Sequence, residues 1–148
     1  MDVCCECAAS LIYSLLLQGW LIQLVSFGAE RQVQSGSGPL DFQRFYHWLA
    51  CVPFDGHLSF SSRLAAEPAN RFDAPAIFLI TSDLNPELLN TLARLHRDRR
   101  SVHTLFAGSG PDGAAESILA GLMNQAGFPA WFIHYGENLA DILQKSPL

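Results

Sequence analysis

Hydrophobic and polar positions change their period along this chain, and each change marks an element. From residue 3 to 18, Ala8, Leu11, Ile12, Leu15 and Leu16 build a broad helical stripe, with Asp2 placed to cap the helix and Gly19 to end it. Trp20-Leu-Ile-Gln-Leu-Val-Ser-Phe27 is rich in strand formers and too short for another buried helix, so it reads as a strand. Ala29 to Gln34 alternates weakly before the breaker Ser35-Gly-Ser-Gly-Pro39, which predicts a polar edge strand antiparallel to its predecessor. Asp41 is placed to cap a helix through Cys51, in which Phe42, Phe45, Trp48, Leu49 and Val52 face the core while Arg44 and His47 point away. Residues 53 to 74 are punctuated by Pro53, Gly56 and Pro68, with a short helix over Leu58 to Ala66.

The stretch from Pro75 to Leu89 organises the rest. Ile77, Phe78, Leu79 and Ile80 show no polar alternation, as expected of a parallel strand covered on both faces. A polar turn follows, then a helix signature: Asn85 as N-cap, Pro86 where its missing N–H costs nothing, and Glu87 against the positive end of the dipole. Leu88, Leu92 and Leu95, with Leu89 and Ala93, carry that helix to about Arg100. Val102 to Phe106 is the next strand, and Gly108-Ser-Gly-Pro-Asp-Gly113 is a loop. Ala114 to Gln125 is a helix with Ile118, Leu119 and Leu122 on one side, stopped by Gly127. Ala130 to His134 is the last strand, and Glu137 to Lys145 the last helix.

Strands and helices thus alternate at crossover lengths, which predicts an α/β, doubly wound, mainly parallel sheet flanked by helices. The expected strand order is 29–34, 20–27, 76–82, 102–107, 130–134, the last four parallel, because right-handed crossovers set consecutive strands side by side. Open sheets of this class bind ligands beyond the carboxyl ends of their strands. That singles out Thr81, Ser82 and Asp83 as ligand- or partner-binding residues. Asp83 is the sharpest of them: an aspartate there either braces the next helix or contributes to a metal or ligand site.

Length and composition add boundaries. At 148 residues the chain is one domain by length. Its charged share of 16% is well below the usual quarter, which predicts exposed apolar surface or a partner that covers it. A net charge of −5 opposes binding to nucleic acid or anionic lipid. Arg94, Arg97, Arg99 and Arg100 read as a solvated helix end near the negative pole of the dipole. Cys4, Cys5, Cys7 and Cys51 have no zinc spacing and read as free thiols in a reducing compartment, with Cys4 and Cys7 packing on one helix face. Leu11 to Phe27 is interrupted by Ser14, Gln18, Gly19, Gln23 and Ser26, and no basic stretch precedes it. It is read as neither a span nor a signal sequence, and a soluble, cytoplasmic chain is expected.

Catalytic chemistry is thinly marked. Gly108, Gly110 and Gly113 satisfy a dinucleotide-binding pattern formally, but Pro111 removes an amide that a phosphate would use. Histidines 47, 57, 96, 103 and 134 are scattered, His103 and His134 falling within predicted strands, and no nucleophile-elbow pattern accompanies Ser82.

Ala8-Ala-Ser-Leu11 through Leu17-Gln-Gly19, the strand after it, the Gly-rich gap, the aromatic helix and Ile80-Thr-Ser-Asp83 together are similar, over roughly residues 5 to 107, to a known family. They resemble the carboxyl-terminal part of bacterial proteins in domain-of-unknown-function family 58, whose core is similar to a von Willebrand factor A domain. The resemblance implies a doubly wound sheet and, in complete members, membrane-associated proteins encoded beside MoxR-type ATPases. It also implies a divalent-cation site made by an Asp-x-Ser-x-Ser loop after the first strand, a threonine, and an aspartate after the fourth strand. Asp83 matches that last position, the only metal ligand matched. His57-Leu-Ser59-Phe-Ser61 imitates the loop's spacing with histidine in the first place and no strand before it. The expectation is therefore one partial domain over residues 1–148 with its first strand missing, an incomplete cation site that binds magnesium or manganese weakly or not at all, and no cofactor. The expected function is noncatalytic protein interaction, with a MoxR-type ATPase as partner, self-association through the exposed gap, and membrane contact only through parts absent from the chain. The alternatives are a small α/β enzyme with its site near Ser82 and Asp83, or a truncated gene product without independent function.

Overall fold

The computed structural model describes the chain except residues 1, 54, 72, 84, 98–100, 108–113, 135 and 145–148, and of residues 69, 114–117, 119 and 120 the backbone alone. The chain divides into two compact units, Met1–Leu58 and Ser59–Leu148. The first holds α1 (Val3–Leu17), the hairpin β1 (Ile22–Phe27) and β2 (Arg31–Gly36), and α2 (Phe42–Cys51). The second holds α3 (Phe60–Ala66), β3 (Ala76–Thr81), α4 (Pro86–Arg97), β4 (Ser101–Ala107), α5 (Ala114–Gln125), β5 (Ala130–Ile133) and α6 (Leu139–Gln144). Among the described residues no helix is long and apolar enough to cross a membrane.

In the first unit α1 buries Cys5, Cys7, Ala8, Leu11, Ile12 and Leu16, and α2 contributes Phe45 and Leu49. Phe42, Trp48 and Val52, expected in the core, are only half-buried. Phe42 lies edge-on to Tyr13 at 5.0 Å, so its ring binds the two helices from the rim. Cys4 is half-buried beside buried Cys5 and Cys7, and all of these thiols are free. Burial, reinforced by the Asp2 carboxylate, pushes the Cys4 thiol up to about 12, and burial with Glu6 pushes Cys7 up to about 11, so neither is a ready nucleophile. Helix α1 ends as its glycine predicted: Gly19 takes φ +77°, its N–H meets Leu16 O, and the N–H of Trp20 reaches back to Leu15 O.

Two capping expectations are corrected. Asp2 makes no side-chain cap on α1. Asp41 stands at the start of α2 but turns backwards, its Oδ2 accepting from Ser37 N–H at 2.9 Å and Gly38 N–H at 3.2 Å. The tight turn over Pro39–Asp41 folds the carboxylate back onto those donors, which precede it.

In the second unit β3, β4 and β5 form a parallel sheet in that order, running in register from Ala76–Ser101 to Thr81–Phe106 and from Thr104–Ala130 to Ala107–Ile133. Leu88, Leu92 and Leu95 of α4 are buried, as their spacing predicted, with Leu105 and Met123. Helix α5 presents a different face from the one expected. Ile118 and Leu122 are 62% and 47% exposed while Met123 is fully buried, and Leu119 lies outside the described side chains. The stop after α5 orients it: Gly127 takes φ +83° and Phe128 N–H reaches Met123 O at 2.8 Å, tying both apolar side chains inward.

The expected five-stranded order is also corrected. Among the described residues β1 pairs with β2, antiparallel from Ile22–Gly36 to Phe27–Arg31, as a two-stranded sheet of its own. The antiparallel β1–β2 pair is the one expected, closed by a three-residue turn, and the correction concerns the joining of that pair to the parallel strands. What stands is the α/β class with a three-stranded parallel sheet flanked by helices.

Candidate functional site

The junction between β3 and α4 carries the residues singled out from sequence. Thr81 ends β3 and is buried, and its Oγ1 accepts from the Asp83 N–H at 2.9 Å, a side-chain turn that bends the backbone out of the sheet. Ser82 stands exposed at the bend. Asp83 Oδ1 accepts from Asn85 Nδ2 at 3.1 Å, and Asn85 Oδ1 caps α4 by accepting from Leu88 N–H at 3.1 Å.

The same Asn85 oxygen accepts from the hydroxyl of Ser61, which is wholly buried, at 3.0 Å. Ser59 caps α3 by accepting from Ser62 N–H at 3.2 Å, and Ser62 Oγ donates to Glu87 Oε2 at 3.3 Å. The N-termini of α3 and α4 are therefore stitched side by side. At the other end of α3, Arg94 donates to Ala65 O at 2.8 Å, Leu64 O at 3.0 Å and Glu67 O at 3.2 Å. Those carbonyls lie at the helix end, where Leu64 O also accepts from the Glu67 N–H at 3.2 Å, so Arg94 does structural work and is not part of a solvated basic cluster. Arg97 is exposed, while Arg99 and Arg100 lie outside the described residues.

The structure brings Thr81, Asp83, Asn85 and Ser61 into one hydrogen-bonded chain, of which sequence reasoning had Asn85 as a cap and Ser61 only as part of an imitated motif. Ser59 is committed to capping, and the segment before it holds no strand among the described residues. No group of three or more His, Cys, Asp or Glu side chains able to hold a metal ion occurs among the described residues. The glycine loop at 108–113 lies outside them.

The described residues show no hydrogen bond from a histidine to Ser82 or Cys51. The serine–histidine contact that does occur lies at the amino end of β4, where Ser101 Oγ meets His103 Nε2 at 2.8 Å. That imidazole stacks between Phe78 at 5.0 Å and Trp131 at 5.8 Å, and burial holds its pKa below the ordinary value. His134, expected in a strand, follows the end of β5. In the first unit a concavity of about 240 Å³ lies under the β1–β2 turn, lined by Gly28, Glu30, Pro53 and Asp55 among others. Asp55 Oδ1 pins that turn by accepting from Ala29 N–H at 3.0 Å. No family model, curated protein or solved structure matches the chain.

Proposed function

We propose that this chain is a noncatalytic protein-interaction domain of the von Willebrand factor A-like kind that works with a MoxR-type ATPase, with Thr81, Ser82 and Asp83 as its contact. The observation that carries this reading is the bracing of the β3–α4 junction. Asp83 and Asn85 are held by one another, by Thr81 and by buried Ser61, so exposed Ser82 is offered on backbone already fixed. A preformed contact avoids most of the ordering cost of association. The family resemblance supplies the partner. Calorimetry with a MoxR-type ATPase tests it: Ser82→Arg weakens association about tenfold or more, roughly 1.4 kcal/mol, while exposed Gln43→Ala leaves it unchanged. Absence of association in every nucleotide state of the ATPase contradicts the reading.

A further inference from the structure

Strand β3 is the edge of its sheet, yet its sequence is that of an interior strand. Ala76-Ile-Phe-Leu-Ile-Thr81 holds no charge and no proline, and its register with β4 runs without a bulge. Natural edges are usually blunted by one of those devices. The phase of the ladder says which groups are left over. Ser101 pairs with Ala76 and its N–H reaches Pro75 O at 3.0 Å, so in a parallel ladder Ile77, Leu79 and Thr81 direct their N–H and C=O groups towards β4. The amides and carbonyls of Ala76, Phe78 and Ile80 point off the sheet, and β3 has no second strand beside it among the described residues. Asp73 lies three residues before this edge and Asp83 two residues after it.

We propose that the free edge of β3 receives an extended segment of another protein as an added strand, apolar in its middle and basic at both ends. Three donors and three acceptors in alternation match an extended backbone of about six residues. Its alternate side chains continue the Ile77–Leu79–Thr81 face and the Phe78–Ile80 face, both apolar, so the middle must be apolar on both sides. Charge chooses between a foreign segment and a second copy of this chain. Two copies paired antiparallel about Phe78, the register that sets outward groups against outward groups, would place Asp83 of each opposite Asp73 of the other, two like-charge contacts per dimer. A basic-ended segment turns both contacts into attractions. The proposal shares with the preceding section only the idea that the ligand is polypeptide. It does not require the ATPase or Ser82.

The test uses the full chain with a synthetic decapeptide of alternating valine and isoleucine bearing two lysines at each end, against the same peptide with glutamates in their place. The lysine peptide binds, and residue-resolved amide exchange then slows at Phe78 and Ile80 by about tenfold or more while Ile77 and Leu79 change little. Its affinity falls as salt rises, and Asp73→Lys, at an exposed position, lowers it about tenfold with the melting temperature unchanged. Ile80→Pro removes an outward N–H and no β3–β4 bond, and abolishes binding. Should that variant misfold, the Asp73→Lys result still decides. Equal binding of the two peptides, or none, overturns the proposal, as do outward amides already protected in the free chain. Protection that grows with protein concentration alone assigns the edge to a second copy and overturns it too. A failed ATPase pull-down with lysine-peptide binding intact removes only the reading of Ser82.

Discussion

Strands β1 and β3 are both six residues long and both expected from sequence inside one sheet, yet they are buried differently. No residue of β1 is fully buried, and its partner is the next strand in the chain. In β3 the side chains alternate, with Ile77, Leu79 and Thr81 buried, and the partner lies beyond a helix. The first unit buries its apolar area mainly between α1 and α2, where Phe45 is 0% exposed, and its hairpin is half covered. The second buries its own between sheet and helices. An apolar run therefore reports that a strand seeks cover but does not say what covers it.

The contrast is broken most forcefully by truncation. Leu92→Ala, in α4, should cost about 2–5 kcal/mol in urea unfolding, the range for a fully buried leucine. Val25→Ala in half-buried β1 should cost about 1 kcal/mol. Equal costs would mean that β1 is as much part of a core as α4. Next in size is Arg94→Met, which keeps the apolar stem and removes three guanidinium hydrogen bonds at the end of α3. A loss of about 1–3 kcal/mol is expected, and Arg94→Lys should not recover it, since an ammonium cannot span the three acceptors.

Most elements were legible in the sequence because their signals are local. Gly19 and Gly127 end helices where a left-handed residue is required, Asn85-Pro86 starts α4, and Leu88, Leu92 and Leu95 mark its buried face. What failed was non-local. Arg94 finds its carbonyls 27 to 30 positions away, and the face of α5 is set by the Phe128 tie after Gly127 and not by counting leucines. The sheet order was right within each sheet, the β1–β2 hairpin and β3–β4–β5 alike, and failed only in joining the two, for which no local signal exists. At the site, Thr81, Ser82 and Asp83 were found from the end of an apolar run, while the buried link from Ser61 to Asn85 spans 24 positions with no sequence signature.

Smaller effects separate the units by pH. Backbone donors from Ser37 and Gly38, with Arg44 beside them, hold the Asp41 carboxyl below its usual range, so the stability it gives is present above about pH 4 and is lost as pH falls through its lowered pKa. His103 is held below 6.5 by burial, so the unfolded chain takes up its proton first. The native state then keeps full stability above that pH and loses it on acidification, before Asp41 titrates. His103→Gln should flatten the upper limb of a stability–pH curve and Asp41→Asn the lower one. The smallest change expected is Thr104→Val. The Thr104 hydroxyl is fully buried in β4 with no hydrogen-bond partner among the described residues, so an isosteric methyl should leave stability unchanged or raise it by up to about 1 kcal/mol.

The central claim is that β3 has one neighbouring strand among the described residues, and amide exchange along Ala76–Thr81 measures it directly. Slow exchange at Ile77, Leu79 and Thr81 with fast exchange at Phe78 and Ile80 is the result expected of a strand paired on one side only. Uniform protection along the strand in dilute free chain, with cross-strand nuclear Overhauser contacts from β1, would contradict it.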